Sequence, residues 1–209
     1  MFEIHYDDKK IKQLERELRG FPKNSLPKVM SRGLNRTAEW ARTQAVNAIA
    51  EKKKIKAGGV RKFITLRKAT YKNWRSALEF STGRFILMDL NPTKTTTGIR
   101  YTNPLTGKRI SIPGAFKAKM SSGHKGIFIR GREHIRIRKW IPMGKAHALK
   151  KYGTEKKEAI YELMGPTSEN LFLSRLKGKI ERIQKESLSR LEKNIHDQVQ
   201  LILKARLPA

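Results

Sequence analysis

Apolar residues recur at three- and four-residue steps near both ends of the chain, and at every second position through much of its middle. Met1 to His5 suits a short strand, after which Ile11, Leu14 and Leu18 fall at helical spacing until Gly20 and Pro22 stop the pattern. A longer helix is expected from Ser25, with Ser25 as cap, Pro27 in the first turn, and Leu26, Met30, Leu34, Ala38, Ala41, Ala45 and Ile49 along one face. The alanines keep that face small, so a neighbouring element can approach closely. Core packing is the plain use of such a stripe, and a special interface is the alternative.

After the lysine run ending at Lys56, Gly58-Gly59 interrupts the helical pattern, and Val60, Phe63 and Ile64 form a short apolar piece. Trp74, Ser76, Leu78 and Phe80 then alternate with Arg75, Ala77, Glu79 and Ser81, and Phe85 to Leu90 follows Gly83, which predicts a strand pair. Thr93 to Asn103 is extended in character, Pro104 to Gly107 forms a turn, and Arg109 to Ile112 pairs back. Further strands are expected at Ala115 to Met120, Gly126 to Gly131 and Ile135 to Ile141. Pro142 to Lys157 is expected as a basic loop.

Following Gly165-Pro166, a helix capped near Thr167 or Ser168 carries Leu171, Leu176, Ile180, Ile183, Leu188, Leu191, Ile195, Val199 and Ile202. Continuous to Arg206 it would be about 58 Å long, with Gly178 as the place for a bend. Such a stripe must lie along another helix, most simply the one from Ser25, and leave its far end for a neighbouring subunit. Ala38, Ala41, Ala45, Ile183, Leu191, Ile195 and Val199 are therefore the candidate packing or oligomer positions. The fold class is α+β: an antiparallel β meander or sheet flanked by an N-terminal helical region and a long C-terminal helix. The expected organisation is a single domain, 1–209, with a helical arm (1–56), a sheet (57–141), a basic loop (142–157) and the C-terminal helix (158–209).

Charge sharpens this picture. Of the chain's net +29, a surplus of 24 lies between Lys52 and Lys157, where 28 Lys and Arg face only Glu79, Asp89, Glu133 and Glu155. The flanks are close to balanced, with 10 basic and 7 acidic groups before this block and 9 and 7 after it. A regional surplus of this kind calls for a polyanion or an acidic protein surface. Lys125, Arg130, Arg132, Arg136, Arg138, Lys139, Lys145, Lys150 and Lys151 are the candidate contacts to DNA or to an acidic partner. With 38% hydrophobic and 31% charged residues, part of the apolar surface is expected to be buried against other subunits or partners.

The absence of cysteine excludes disulfides, thiolate metal sites and a cysteine nucleophile. No apolar run approaches the roughly 20 residues that span a bilayer, and Met1 to Lys10 lacks a signal-peptide core, so a cytoplasmic place of synthesis is expected. The five histidines, at 5, 124, 134, 147 and 196, lack ligand spacing. A two-metal nuclease would have to be assembled from the block's few carboxylates, Glu79, Asp89, Glu133 and Glu155. Ser121-Ser122-Gly123-His124 sets a hydroxyl beside an imidazole, yet adjacent turn residues rarely face one another and no orienting acid is near in sequence. No catalytic residue, metal or cofactor is expected.

Three stretches together resemble the phage minor tail protein Z family. The first runs from Leu34-Asn35-Arg36-Thr37-Ala38 through Gln44-Ala45 to Val60-Arg61-Lys62 and Arg67 to Thr70. The second is Ile112-Pro113-Gly114-Ala115-Phe116, Met120 and Ser122 to Arg130, and the third is Ile160-Tyr161-Glu162-Leu163-Met164-Gly165-Pro166-Thr167. Leu90-Asn91 departs from the family's aromatic-glycine pair, Ala159 from a proline, and Arg138 to Lys157 is longer than its usual connection. The resemblance implies a non-enzymatic virion component acting late in tail assembly at the head-proximal end. Its partners would be copies of itself, other tail or neck proteins and, by phosphate contacts, DNA, with no membrane. A sequence-nonspecific nucleic-acid-binding protein is the alternative that charge alone suggests.

Overall fold

The computed structural model describes residues 2–4, 8–17, 22–50, 55–130, 143–147, 160–176 and 178–204, the segment 143–147 by its backbone. Two compact units are distinguishable, each assembled from separate parts of the chain: Met1–Ala48, Ile64–Ser81 and Leu176–Ala209 form one, and Ile49–Phe63 and Thr82–Arg175 the other. Antiparallel sheets and flanking helices give the α+β class that the hydrophobic rhythm predicts.

In the first unit, β1 (Phe2–Ile4), β2 (Ile64–Arg67) and β3 (Ser76–Phe80) form a sheet in the order β1-β3-β2, every pair antiparallel. The expected strand pair is corrected here: β3 finds its partners at the chain start and in the segment just before it, whereas Phe85 to Leu90 belongs to the other unit. Helix α1 spans Asp8–Glu17 and α2 spans Ser25–Ala50. The first turn of α2 is closed by a bond from the Lys28 N–H to the Asn24 carbonyl, so Asn24 takes the cap position expected of Ser25. Pro27 falls in that first turn, where its missing N–H costs nothing.

The C-terminal helix is the larger correction. Residues 160–167 are a strand, helix α4 runs only from Ser168 to Leu176, and α5 runs from Ile180 to Lys204. Gly178 adopts φ +75, the left-handed conformation in which a helix commonly ends. Beyond it the Ile183 N–H bonds the Lys179 carbonyl and starts α5, which at 25 residues is about 37 Å long.

Helix α5 lies along α2 within the first unit. Its Leu191, Ile195 and Val199 are buried, as are Val29, Met30, Leu34, Ala38 and Ala41 on α2. Gly33 marks the closest approach: a Cβ there would lie 2.7 Å from Ile195 Cγ1. One turn on, the buried Thr37 hydroxyl donates to the Gly33 carbonyl (2.9 Å) and accepts from Asn194 Nδ2 (2.9 Å). Arg190 stacks over the Trp40 ring at 5.3 Å. The other side of α2 is tied to the sheet by Asn35. Its Nδ2 donates to the Ala69 carbonyl (3.0 Å), while its Oδ1 accepts from the Ala69 N–H (2.7 Å) and the Ser76 hydroxyl (3.2 Å).

The second unit holds helix α3 (Ala57–Arg61), in which Gly58 and Gly59 are helical where a break is expected. A Cβ on Gly59 would meet the Asp89 side chain at 2.6 to 2.7 Å, so that glycine lets α3 sit against the short 3-10 turn Leu87–Leu90. Strands β5 (Thr93–Lys94), β6 (Gly98–Thr102) and β7 (Arg109–Pro113) form one antiparallel sheet. The other contains β10 (Met143–His147), β11 (Ile160–Thr167), β9 (Lys125–Arg130) and β8 (Phe116–Lys119) in that order, with β4 (Arg84–Ile86) on the far half of β11.

Two expectations change in this sheet. Residues 143–147, placed in a basic loop by composition, pair with β11. Residues 160–167, assigned to the C-terminal helix (158–209), form β11; its Gly165-Pro166, after which the helix is expected and does begin, sits where the β11–β4 register shifts between Met164 and Thr167, so the proline's missing N–H is not needed. The expected strand at Ile135 to Ile141 lies outside the described residues.

Candidate interaction surfaces

Alternation decides which side chains of the second unit face outward. In the β5–β6–β7 sheet, Ile99, Tyr101 and Ile112 are buried on one face. The register sets Thr93, Arg100 and Ser111 in a row on the opposite face, with Thr102 and Arg109 paired beside them. That row combines guanidinium and hydroxyl groups, donors suited to carboxylate or phosphate oxygens. Neither Arg100 nor Arg109 has an ion-pair partner among the described residues.

The β8–β9 hairpin makes a second cationic edge. Lys119 stands directly opposite Lys125 in the register, an arrangement that is destabilising unless an anion approaches. Lys117, on the same strand, donates to the Pro92 carbonyl at 3.0 Å. Because β8 is an edge strand, its lysines also discourage pairing with a foreign strand.

These are parts of a wider asymmetry. Of the exposed charged side chains described in the second unit, twelve are Lys or Arg and one, Glu169, is acidic. The unit's other two described carboxylates are inside. Asp89 is 9% exposed with Lys62 Nζ at 3.6 Å, and Glu162 is 5% exposed with His124 Nε2 at 2.8 Å. Over the described residues the surface field is therefore positive, relieved by Glu169 alone.

Among the contacts chosen from sequence, Lys125 and Arg130 are exposed at the two ends of β9. Lys145 lies in β10, described by its backbone alone, and Arg132, Arg136, Arg138, Lys139, Lys150 and Lys151 lie outside the described residues. Arg100, Arg109 and Lys119 were not singled out; the signal that could have found them is period two, Arg100 and Thr102 alternating with Ile99 and Tyr101. In the first unit, Ala38, Ala41, Ala45, Leu191, Ile195 and Val199 are all buried within one chain, and Ile183 is half-buried.

The model of the family described as Prophage minor tail protein Z (GPZ) matches residues 9–207. The chain belongs to that family. It is thus a phage minor tail protein, a component of the virion tail that works among other tail proteins. No curated protein and no solved structure matches it. None of its described helices is long and apolar enough to cross a membrane.

Two of the three stretches that carry the family likeness meet in space. Ile160, Tyr161 and Glu162 pair with Arg130, Ile129 and Phe128, so the second and third stretches are neighbouring strands. On one face of that pair, Glu162 reaches the His124 ring at the hairpin tip, Phe128 lies edge-on to it, and Gly126 leaves room. A Cβ on Gly126 would stand 2.7 Å from Glu162 Oε1. Glu162, 38 residues away in an apolar strand, is the carboxylate beside His124 that the sequence did not show. The hairpin turn itself is closed by the Gly123 N–H on the Met120 carbonyl, with Gly123 at φ +85. The departure at Leu90-Asn91 is conformationally conservative. Asn91 adopts φ 51, the left-handed region that asparagine tolerates better than other non-glycine residues, and Leu90 is buried.

Proposed function

We propose that this minor tail protein is a structural, non-catalytic part of the head-proximal end of the tail, and that the second unit docks through its cationic exterior onto acidic faces of neighbouring tail or neck proteins. The observation that carries this is the count of twelve exposed Lys and Arg against Glu169. Complementary charge steers such docking and fixes its orientation more than it adds raw affinity. Exposed Leu173 on α4 and Ile180 and Leu188 on α5 supply apolar area for contacts between copies, as a ring or collar requires.

The test is assembly. Tails built with Arg100→Glu and Arg109→Glu should fail to incorporate the protein, and electron microscopy of wild-type tails should show its density at the end that receives the head. Normal incorporation of the charge-reversed chain, or density elsewhere on the tail, overturns the proposal. A second reading, sequence-nonspecific contact to DNA, uses the hydroxyls of Thr93, Thr102 and Ser111 beside the same arginines as phosphate ligands. It requires tight binding to duplex DNA whose affinity falls steeply with salt, because each neutralised phosphate releases counterions.

A further inference from the structure

A separate feature lies in the first unit. Arg32, Asn35, Arg36 and Glu39 of α2, with Gln198 and Leu201 of α5, line an open groove of about 370 Å³. Arg32 and Arg36 are one helical turn apart on the same face, and neither has an ion-pair partner among the described residues. Glu39 is engaged by Lys68 at 3.2 Å and does not neutralise them. Asn35 is committed to Ala69 and Ser76. Gln198 differs from the rest: the residue is 3% exposed, it lines the groove, and it makes no hydrogen bond to another described residue, so its amide is available to a ligand there. Two guanidinium groups, an available amide and an apolar edge in one groove suit a ligand with both an acceptor and an apolar part.

We infer that this groove binds an acidic peptide segment of a protein partner. A glutamate or aspartate carboxylate is held between Arg32 and Arg36, Gln198 donates to a carboxylate or backbone oxygen, and an apolar neighbour of the acid rests on Leu201. Two guanidinium groups one turn apart match a carboxylate by paired N–H donors. Two observations favour a protein over a nucleic acid. The groove is small, and one wall ends in the exposed apolar Leu201, which a run of phosphates would not cover. This site is independent of the cationic exterior of the second unit.

The test uses the full chain and fluorescence anisotropy. The probe is a dye-labelled peptide bearing two glutamates around a leucine, measured at about 0.3 M salt so that the screening length falls between about 10 and 3 Å and the net charge no longer dominates. The wild type should bind this peptide and not its glutamine counterpart. Arg32→Gln with Arg36→Gln should weaken binding about tenfold or more, and Gln198→Leu by about threefold. Removing two charges elsewhere on the first unit, with Lys23→Gln and Lys185→Gln, should leave binding unchanged, as should Arg100→Gln with Arg109→Gln. The inference is overturned if the wild type does not bind the peptide, if the Lys23 and Lys185 changes weaken it equally, or if a short DNA duplex displaces it at equal charge concentration. Both arginines are exposed, so melting curves of their variants should match the wild type and keep the comparison valid.

Discussion

Gly33 allows the α2–α5 contact to be tested by a single methyl group. In Gly33→Ala the added carbon would lie 2.7 Å from Ile195 Cγ1 and 3.6 Å from the Ile195 backbone, and Ile195 is 1% exposed with nowhere to retreat. Forcing a methyl into such a core costs about 1–3 kcal/mol, while alanine gains about 1 kcal/mol over glycine in a helix interior. The net expectation is a loss of about 1 kcal/mol. Ile195→Ala alone should cost about 2–5 kcal/mol but removes the obstructing Cγ1. In that background Gly33→Ala should become stabilising by about 1 kcal/mol, a coupling of about 2 kcal/mol between the two sites. Urea unfolding followed by helical circular dichroism and tryptophan fluorescence reads all four corners of the cycle, provided the slopes agree. If Gly33→Ala stabilises the protein equally in both backgrounds, α5 does not seat on α2 at this point and the packing of the first unit is wrong.

Asn35→Leu should destabilise by about 1–3 kcal/mol, because the Ala69 N–H loses its strongest acceptor inside the unit, and Asn35→Asp should be intermediate, keeping the acceptor but losing the donor to the Ala69 carbonyl. Thermal melts check both. Asn91→Val should cost about 1–2 kcal/mol through its left-handed backbone, whereas Asn91→Gly should be tolerated; equal melting temperatures for the two variants would contradict the conformation. Burial pushes the Tyr101 phenol above its ordinary 10.0. The folded state therefore holds that proton more tightly than the unfolded chain, and the stability it contributes is complete below pH 10 and lost as pH rises toward the folded value. Tyr101→Phe should flatten the fall in melting temperature above pH 10, and an unchanged fall would exclude this source. Salt should stabilise the isolated protein: between about 50 and about 500 mM sodium chloride, a change of about tenfold, screening of like charges should raise the melting temperature, and a decrease would mean that attractive pairs dominate.

Much of the architecture was legible because period and burial agree. Ser25 to Ala50, the turn at Pro104 to Gly107, the alternations of β3 and β6 and the short apolar run of β9 stand close to where the pattern of apolar residues sets them. What was not legible depended on partners remote in sequence. Ile160 to Met164 is too short an apolar run to declare itself strand or helix, and its identity is settled by pairing with β9, β10 and β4. Phe85 and Ile86 look like the continuation of a hairpin with β3, yet β4 finds its partner in β11, about 80 residues on. Lysine-rich composition suggested a loop at 143–147, but β propensity is a weak guide where cross-strand neighbours decide. For the charged surfaces, the count of basic residues was evident from the sequence, and the sidedness was not. Arg100 and Arg109 become neighbours only through the register of two strands, and Arg32 meets Gln198 only because two helices 150 residues apart lie together.

The placement of the few carboxylates argues that the positive exterior of the second unit is a requirement and not a by-product. A protein that needed only solubility could relieve its repulsion most cheaply by leaving acidic side chains outside, among the lysines, where they remain hydrated. Here two of the unit's three described carboxylates are withdrawn into the interior and held by Lys62 and His124, at the cost of desolvating them. The exposed cations are left to repel one another, Lys119 against Lys125 most directly. Both choices weaken the isolated chain, and both are relieved by the same event, the approach of an acidic surface. Under the docking proposed above that surface belongs to the assembly, and the stability forgone by the free subunit is recovered when the subunit is in its place.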